Sequence, residues 1–208
     1  MTNARLTAPL GRRFFNRPPD DVAFDLVGSW LVVHDGEQEL RALIVETEAY
    51  GGRHDPASHA FRGPTRRNEI MFGPPGFLYV YLIYGMHWCM NVVTEPPGTP
   101  SAVLLRAAEL YVPLAGGEDE TVALRGPGNL TRGLGITGED TGLDCCGGDG
   151  RHLTFHRARR GSQTLPTGQS KRIGLTREVD RPSRYFLVGH EAVSKTPSIK
   201  NRRSPNEV

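Results

Sequence analysis

Residues 45–50 read Val-Glu-Thr-Glu-Ala-Tyr. On an extended strand, side chains alternate, so Glu46, Glu48 and Tyr50 share one face. Two carboxylates on one strand face are costly to bury unless each has a partner. The spacing alone therefore allows a solvated strand face or a pair of groups with a chemical task. The strand is otherwise apolar and runs directly into a loop carrying His54 and His59. Carboxylates with histidines can ligate a metal, which would suit a metal-dependent hydrolase. Zinc motifs on helices, however, place two His four apart around a Glu, and His54 and His59 stand five apart. A carboxylate can equally act as a general base. Other catalytic signatures are missing from usable context: there is no GxSxG elbow or Walker loop, and Gly126-Pro127-Gly128 follows no clear strand.

A second constellation lies in residues 77–93, FLYVYLIYGMHWCMNVV, where Tyr79, Tyr81, Tyr84 and Trp88 crowd ten positions. Aromatic residues on strands usually pair across strands or fill a core, and Tyr79 and Trp88 are assigned there. Tyr84-Gly85-Met86 falls at the expected tip of a hairpin, where burial does not explain a Tyr and a Met. Such a tip can wedge between base pairs, and a Tyr behind it can stack on an extruded base. Asn91 on the return strand offers a polar reader for that pocket, or is a buried amide satisfied by backbone.

The elements that must carry these groups follow from the pattern. Asp20 reads as the N-cap of a two-turn helix stopping at Gly28. Residues 30–34 read as a strand, and Asp35-Gly36 as a hairpin turn into the long run 39–50. Thr65 caps a short helical piece through Met71, residues 101–109 form another strand, and Pro127 opens a helix through Leu134. Residues 137–151 are Gly- and Asp-rich without periodicity, residues 151–172 return to the sheet, and residues 184–189 form a last ordered element. We expect a basic arm over residues 1–18, one α+β domain over 19–193 with a curved, mostly antiparallel sheet and a protruding β-hairpin, and a flexible tail over 194–208.

Composition bounds the reading further. The 208 residues are 38% hydrophobic with a formal net charge of +2, but the charge is unevenly laid out: −1 over residues 1–108, −6 over 109–150 and +9 over 151–208. Arginine supplies 22 of the 25 cations, which suits planar phosphate contacts and equally reflects Arg-rich coding. Cys89 and the adjacent Cys145 and Cys146 form no disulfide or CxxC framework, so a reducing, cytoplasmic setting is expected. No secretory signal or membrane span is read.

The residues VETEAY (45–50), His59, Arg67-Asn68, YVYLIYGM (79–86), Cys89-Met90-Asn91 and VLLR (103–106) resemble the alkyladenine, or 3-methyladenine, DNA glycosylase family in order and spacing. Gly126-Pro127 with Leu130, Arg172-Ile173-Gly174 and RYFLVG (184–189) extend the likeness over most of the chain. The resemblance implies a fold similar to the formyltransferase C-terminal domain, a monomer without cofactor or metal, and duplex DNA containing a damaged purine as partner. It implies Glu48 as the base that activates a water, held with Arg106 and the Ile173 carbonyl. It also implies Tyr50, His59 and Tyr81 around the flipped base, Asn91 crowding the amine of a normal guanine, and Leu104 on the floor. Tyr84 would fill the gap in the duplex beside Met86, with Arg66 and Arg67 on the DNA backbone. Arg106 is expected to favour ionised Glu48. The three lysines, Lys171, Lys195 and Lys200, lie outside the motif region, which predicts a monofunctional enzyme without lyase chemistry. The rivals are a non-catalytic damaged-DNA-binding module and the metal-dependent hydrolase. Residues 62–67 depart from the family length by one, and residues 137–151 match nothing in it.

Overall fold

Trp30–Asp35 (β1) and Gln38–Tyr50 (β2) form the hairpin expected at Asp35-Gly36, with Gly36 at φ 61°. This computed structural model describes residues 6–36, 38–114, 119–147, 150–158 and 165–194. Beyond β2 come Leu78–Ile83 (β3), His87–Thr94 (β4), Ser101–Pro113 (β5), Asp119–Leu124 (β6), His152–His156 (β7), Thr167–Ser170 (β8) and Arg184–Leu187 (β9). All described pairings are antiparallel, in the order β3-β4-β5-β2-β1-β7. The two long central strands change partners midway. β2 leaves β1 and takes up β9 at Glu46–Glu48, while β5 passes from β4 to β6. These exchanges curl the sheet into a half-barrel, giving the expected α+β domain.

One apolar cluster fills the inside of the curl. Arg12–Phe15 (α1) contributes fully buried Phe15, Pro19–Leu26 (α2) contributes Val22, Ala23 and Leu26, and Pro127–Gly133 (α3) contributes Leu130. These pack on Leu31, Ile44, Val45 and Leu105 from the strands. Thr47 also faces α2, where its hydroxyl donates to the Ala23 carbonyl at 2.9 Å. Because Val45, Thr47 and Ala49 turn to this core, Glu46, Glu48 and Tyr50 must occupy the opposite face.

Several local expectations need correction. Asp20 does not cap α2. The helix starts two residues earlier, with Pro18 as N-cap, because Pro19 presets the N-terminal turn and has no N–H to satisfy. Asp20 instead accepts bonds from Tyr185 and Arg181. Leu134 is the C-cap of α3 rather than its last turn, and β6 was not anticipated. Residues 6–18 are packed rather than a free arm: Leu10 donates to the Phe155 carbonyl at 2.7 Å and Phe15 is wholly buried. Residues 137–147 form a built strap along the edge strand β3, with a capping box at Thr137 and Asp140. Main-chain bonds join Leu78 to Leu143, Gly142 to Leu78, and Cys145 to Gly76. The strap covers an edge that would otherwise present unpaired main chain. Ser194, assigned to the tail, is bonded to Glu46; residues 1–5 and 195–208 lie outside the described residues. Among the described residues, no helix is long and apolar enough to cross a membrane.

Candidate active site

Glu46 and Glu48 are both completely buried, which excludes a solvated strand face. Local register shifts bring them to their partners. Ile44 pairs with Ala108, Glu46 with Ala107, and Thr47 with Leu105, so Val45 and Arg106 are each skipped in the ladder. Paired irregularities of this kind re-aim side chains, and here they bring the Arg106 guanidinium between the two carboxylates. Arg106 Nε donates to Glu46 Oε1 at 2.9 Å and Nη1 to Glu48 Oε2 at 3.2 Å.

The two glutamates have different surroundings. Glu46 Oε1 also accepts Arg184 Nε at 2.7 Å, and Oε2 accepts the Ser194 N–H at 2.7 Å. Burial would raise its pKa, but Arg106, Ser194 and Arg184 outweigh burial and hold it below the ordinary glutamate value. Glu48 accepts the Ile173 N–H at 2.7 Å on Oε1 and the Tyr50 hydroxyl at 2.9 Å on Oε2. Its pKa is raised because burial prevails over Arg106 and these donors, with the neighbouring Glu46 charge adding to the rise. Arg106 does favour ionised Glu48, as expected, but it does not set the net direction. Arg106 is divided between two anions, and desolvation is the larger effect.

Arg106 lines a cavity of about 390 Å³ together with Tyr50, His59, Tyr81, Asn91, Leu104, Tyr84 and Ile173; Glu48 is not itself among the lining residues but is bonded to three of them, Tyr50, Arg106 and Ile173. Most of the predicted residues thus converge on one site. The Tyr50 ring has the Arg172 guanidinium 4.6 Å from its centroid. His59 and Tyr81 meet edge-to-face at 4.4 Å, and His59 Nδ1 lies 3.0 Å from the Tyr79 hydroxyl. Burial, helped by the Arg67 charge, lowers the His59 pKa and favours a neutral ring. Burial raises the Tyr50 and Tyr81 hydroxyls, so both phenols stay neutral. Asn91 lines the cavity, and its amide donates to the Tyr79 carbonyl at 3.1 Å, as the reading of a backbone-satisfied amide expects.

At the rim, Tyr84 and Gly85 have φ values of 54° and 71° and form the hairpin tip. Tyr84 is 82% exposed and Met86 70%. Arg66 is exposed, whereas Arg67 donates to the Leu82 carbonyl at 2.9 Å and lies 5.4 Å from the Tyr81 ring. In this conformation Arg67 buttresses the pocket. The metal reading lacks a ligand set: both carboxylates face Arg106, His54 is exposed on a 3-10 turn, and among the described residues no three His, Cys, Asp or Glu side chains converge.

Residues 13–191 match the family model described as methylpurine-DNA glycosylase. The chain belongs to this family. It is 49% identical over 190 residues to the "Putative 3-methyladenine DNA glycosylase" of Anaeromyxobacter dehalogenans, covering 90% of this chain and 86% of the relative. It is 43% identical over 197 residues to the protein of the same name from Bradyrhizobium diazoefficiens, covering 92% and 93%. The family likeness seen in residues 45–50 and 79–91 is thereby shown, and with it a place among DNA-repair hydrolases.

Other contributors to the site gave little sequence signal. Arg172 and Asp55, with side chains at 0% exposure, form a two-bond ion pair at 2.5 and 2.9 Å, and Arg172 also donates to the Ala49 carbonyl. This pair joins the loop before His59 to the loop bearing Ile173. Arg184 and Ser194 hold Glu46 from the far end of the chain. The one clue was electrostatic: buried carboxylates need cations, and the basic residues after 150 supply them.

Proposed function

We propose that this protein is a monofunctional DNA glycosylase that flips an alkylated purine of the 3-methyladenine and 7-methylguanine class out of duplex DNA. It then hydrolyses the N-glycosidic bond and leaves an abasic site. The observation that carries the reading is Glu48, a buried carboxylate with a raised pKa that is bonded to Tyr50, Arg106 and Ile173 in the lining of an aromatic cavity. A base works best with a pKa moved toward the working pH, and the bonds from Arg106, Tyr50 and the Ile173 N–H orient its charged form.

In this mechanism Tyr84 fills the space left by the extruded nucleotide, with Met86 beside it. The flipped base enters the space bounded by Tyr50 and by His59 with Tyr81. N3 or N7 alkylation makes a purine cationic, and aromatic faces attract such a ring by about 0.5–2 kcal/mol. Neutral His59 adds no charge repulsion. Leu104 forms the floor, and Asn91, fixed by its bond to the Tyr79 carbonyl, crowds the exocyclic amine of normal guanine. Glu48 takes a proton from a water aimed at C1′ while the bond to the base lengthens, and its charge offsets the oxocarbenium character developing on the sugar. The main chain at Ile173 and Arg106 help to hold that water. A cationic base is already a good leaving group and leaves without a second acid.

Lys171 is on the loop bearing Ile173 but is 65% exposed and pairs with Asp180, which favours water over a lysine amine as nucleophile. Arg66 is free to meet phosphate, and Arg67 can leave the Leu82 carbonyl to do so. The protein works on DNA as a monomer. The test is a duplex with one 7-methylguanine. We expect chromatographically free 7-methylguanine, an intact strand until alkali treatment, and no adduct with borohydride. A borohydride-trapped adduct would replace hydrolysis with lyase chemistry, and binding without base release would leave a damaged-DNA-binding module.

A further inference from the structure

We propose that Glu46, clamped by Ser194, is the positioning residue that keeps Arg106 shared between itself and Glu48 and so stops it turning fully onto Glu48, which makes Ser194 a working part of the active site. This rests on Glu48 as the base. Glu46 is not among the residues that line the cavity, and unlike Glu48 it shares a bond with only one of them, Arg106. It nevertheless receives Arg106 Nε at 2.9 Å, Arg184 Nε at 2.7 Å and the Ser194 N–H at 2.7 Å, and the Ser194 hydroxyl lies 2.7 and 2.6 Å from its two oxygens. The same hydroxyl accepts Arg106 Nη2 at 3.5 Å. Ser194 therefore touches both the anchor and the anchored group, while Arg106 Nη1 points to Glu48.

An unanchored Arg106 would be free to turn fully toward Glu48, the only other carboxylate it pairs with among the described residues. That turn would deepen the stabilisation of the Glu48 anion and weaken it as a base. Glu46 prevents this in two ways: it occupies Nε of Arg106, and its own charge opposes ionisation of Glu48. Arg184 is needed because Glu46 must stay charged although wholly buried. The groups that set the Glu48 charge come from every side: Arg106 on β5, Glu46 and Tyr50 on β2, Tyr81 on β3, and Arg172 with the Ile173 N–H on the following loop. Arg184 and Ser194 act only through Glu46.

The test uses the full chain, single-turnover release of 7-methylguanine across pH, and lesion-duplex binding. Glu46→Gln keeps an acceptor but removes the charge. Its acid limb should move down by about one pH unit or more, as expected when a like charge is lost and a cation is left with one anionic partner. Ser194→Ala should lower the plateau rate about tenfold through misplacement of Arg106, with lesion affinity unchanged, and Ser194→Thr should restore it. If Glu46→Gln does not fold, the two Ser194 variants decide. An unchanged limb in Glu46→Gln, or a full rate in Ser194→Ala, overturns the proposal. A Glu48→Gln control separates the two ideas: if it is inactive the base assignment stands and only the anchor fails, whereas if it is active the assignment beneath both fails.

Discussion

Asp55→Ala should be among the most destabilising single changes in the site region. The Asp55 and Arg172 side chains are fully buried and joined by bonds of 2.5 and 2.9 Å. Asp55 also accepts the Gly51 and Ala57 N–H groups at 3.0 and 3.1 Å. Removing it leaves the guanidinium, among the described residues, with the Ala49 carbonyl at 3.0 Å as its one hydrogen-bond acceptor beside the Tyr50 ring, and Arg172 Nε has no hydrogen-bond partner among them. Breaking a buried pair from one side costs about 3–5 kcal/mol because a charge is left uncompensated. For a chain of this size, each kcal/mol lowers Tm by about 2–4 °C, so a fall of about 6–20 °C follows. The assay is urea unfolding at pH 7, with the change read in the midpoint at constant slope. Asp55→Ala with Arg172→Met removes both charges and should regain most of the loss. The pH response has a definite sign. Burial alone would raise the Asp55 pKa, but the Arg172 bonds and the N–H donors lower it overall. Its stabilisation is therefore present above the unfolded pKa of about 3.9 and lost as pH falls through the lower folded value. Asp55→Ala should lack that acid-dependent component. A loss below about 1 kcal/mol, the range of exposed pairs, or a double variant no better than the single, would refute the claim of a desolvated pair.

Other outcomes follow from the same geometry. The single-turnover rate of base release should rise with pH along a limb above the ordinary glutamate pKa of about 4.3, because Glu48 must be ionised to act and burial raises its pKa. A limb at or below that value would contradict this. Tyr84→Ala should weaken lesion affinity and flipping while changing stability by less than about 0.5 kcal/mol, since the ring is 82% exposed. Tyr84→Gly should lose affinity equally yet fold at least as well, because only glycine adopts φ 54° freely; retained affinity in both would remove the wedge role. Asn91→Ala leaves the buried Tyr79 carbonyl without its amide donor and should cost about 1–3 kcal/mol. It should also raise release of unmodified guanine relative to 7-methylguanine, and an unchanged ratio would show that Asn91 does not discriminate.

What could be read in the sequence was local. The alternation of residues 45–50 correctly placed Glu46, Glu48 and Tyr50 on one face, and Tyr84-Gly85 marked a tip because aromatic and β-branched residues flank it on both sides. The chemistry-bearing pattern of 79–91 was legible for the same reason, since its residues meet across one hairpin. Pairings between distant segments were not legible. Nothing near Asp55 points to Arg172, and nothing near Glu46 points to Ser194, 148 positions away. The register shifts that aim Arg106 arise from strand pairing and leave no periodic trace. Residues 137–147 read as an irregular loop because their order comes from bonding to the edge of β3, not from a pattern of their own. The direction of the Glu48 pKa was legible only in part, since the sequence names the cation beside it but not the depth of its burial.

The central claim is that Glu48 activates the attacking water. Glu48→Gln keeps the shape and can still accept the Ile173 N–H on its one amide oxygen, with its amide nitrogen donating to the Tyr50 oxygen in place of accepting from it, but it cannot accept a proton. Compared with the wild type on a duplex carrying 7-methylguanine, its single-turnover release should fall by at least about 10²–10⁴-fold, the usual contribution of a general base, with lesion affinity retained. Release at the wild-type rate by a folded, DNA-binding Glu48→Gln protein would contradict the account.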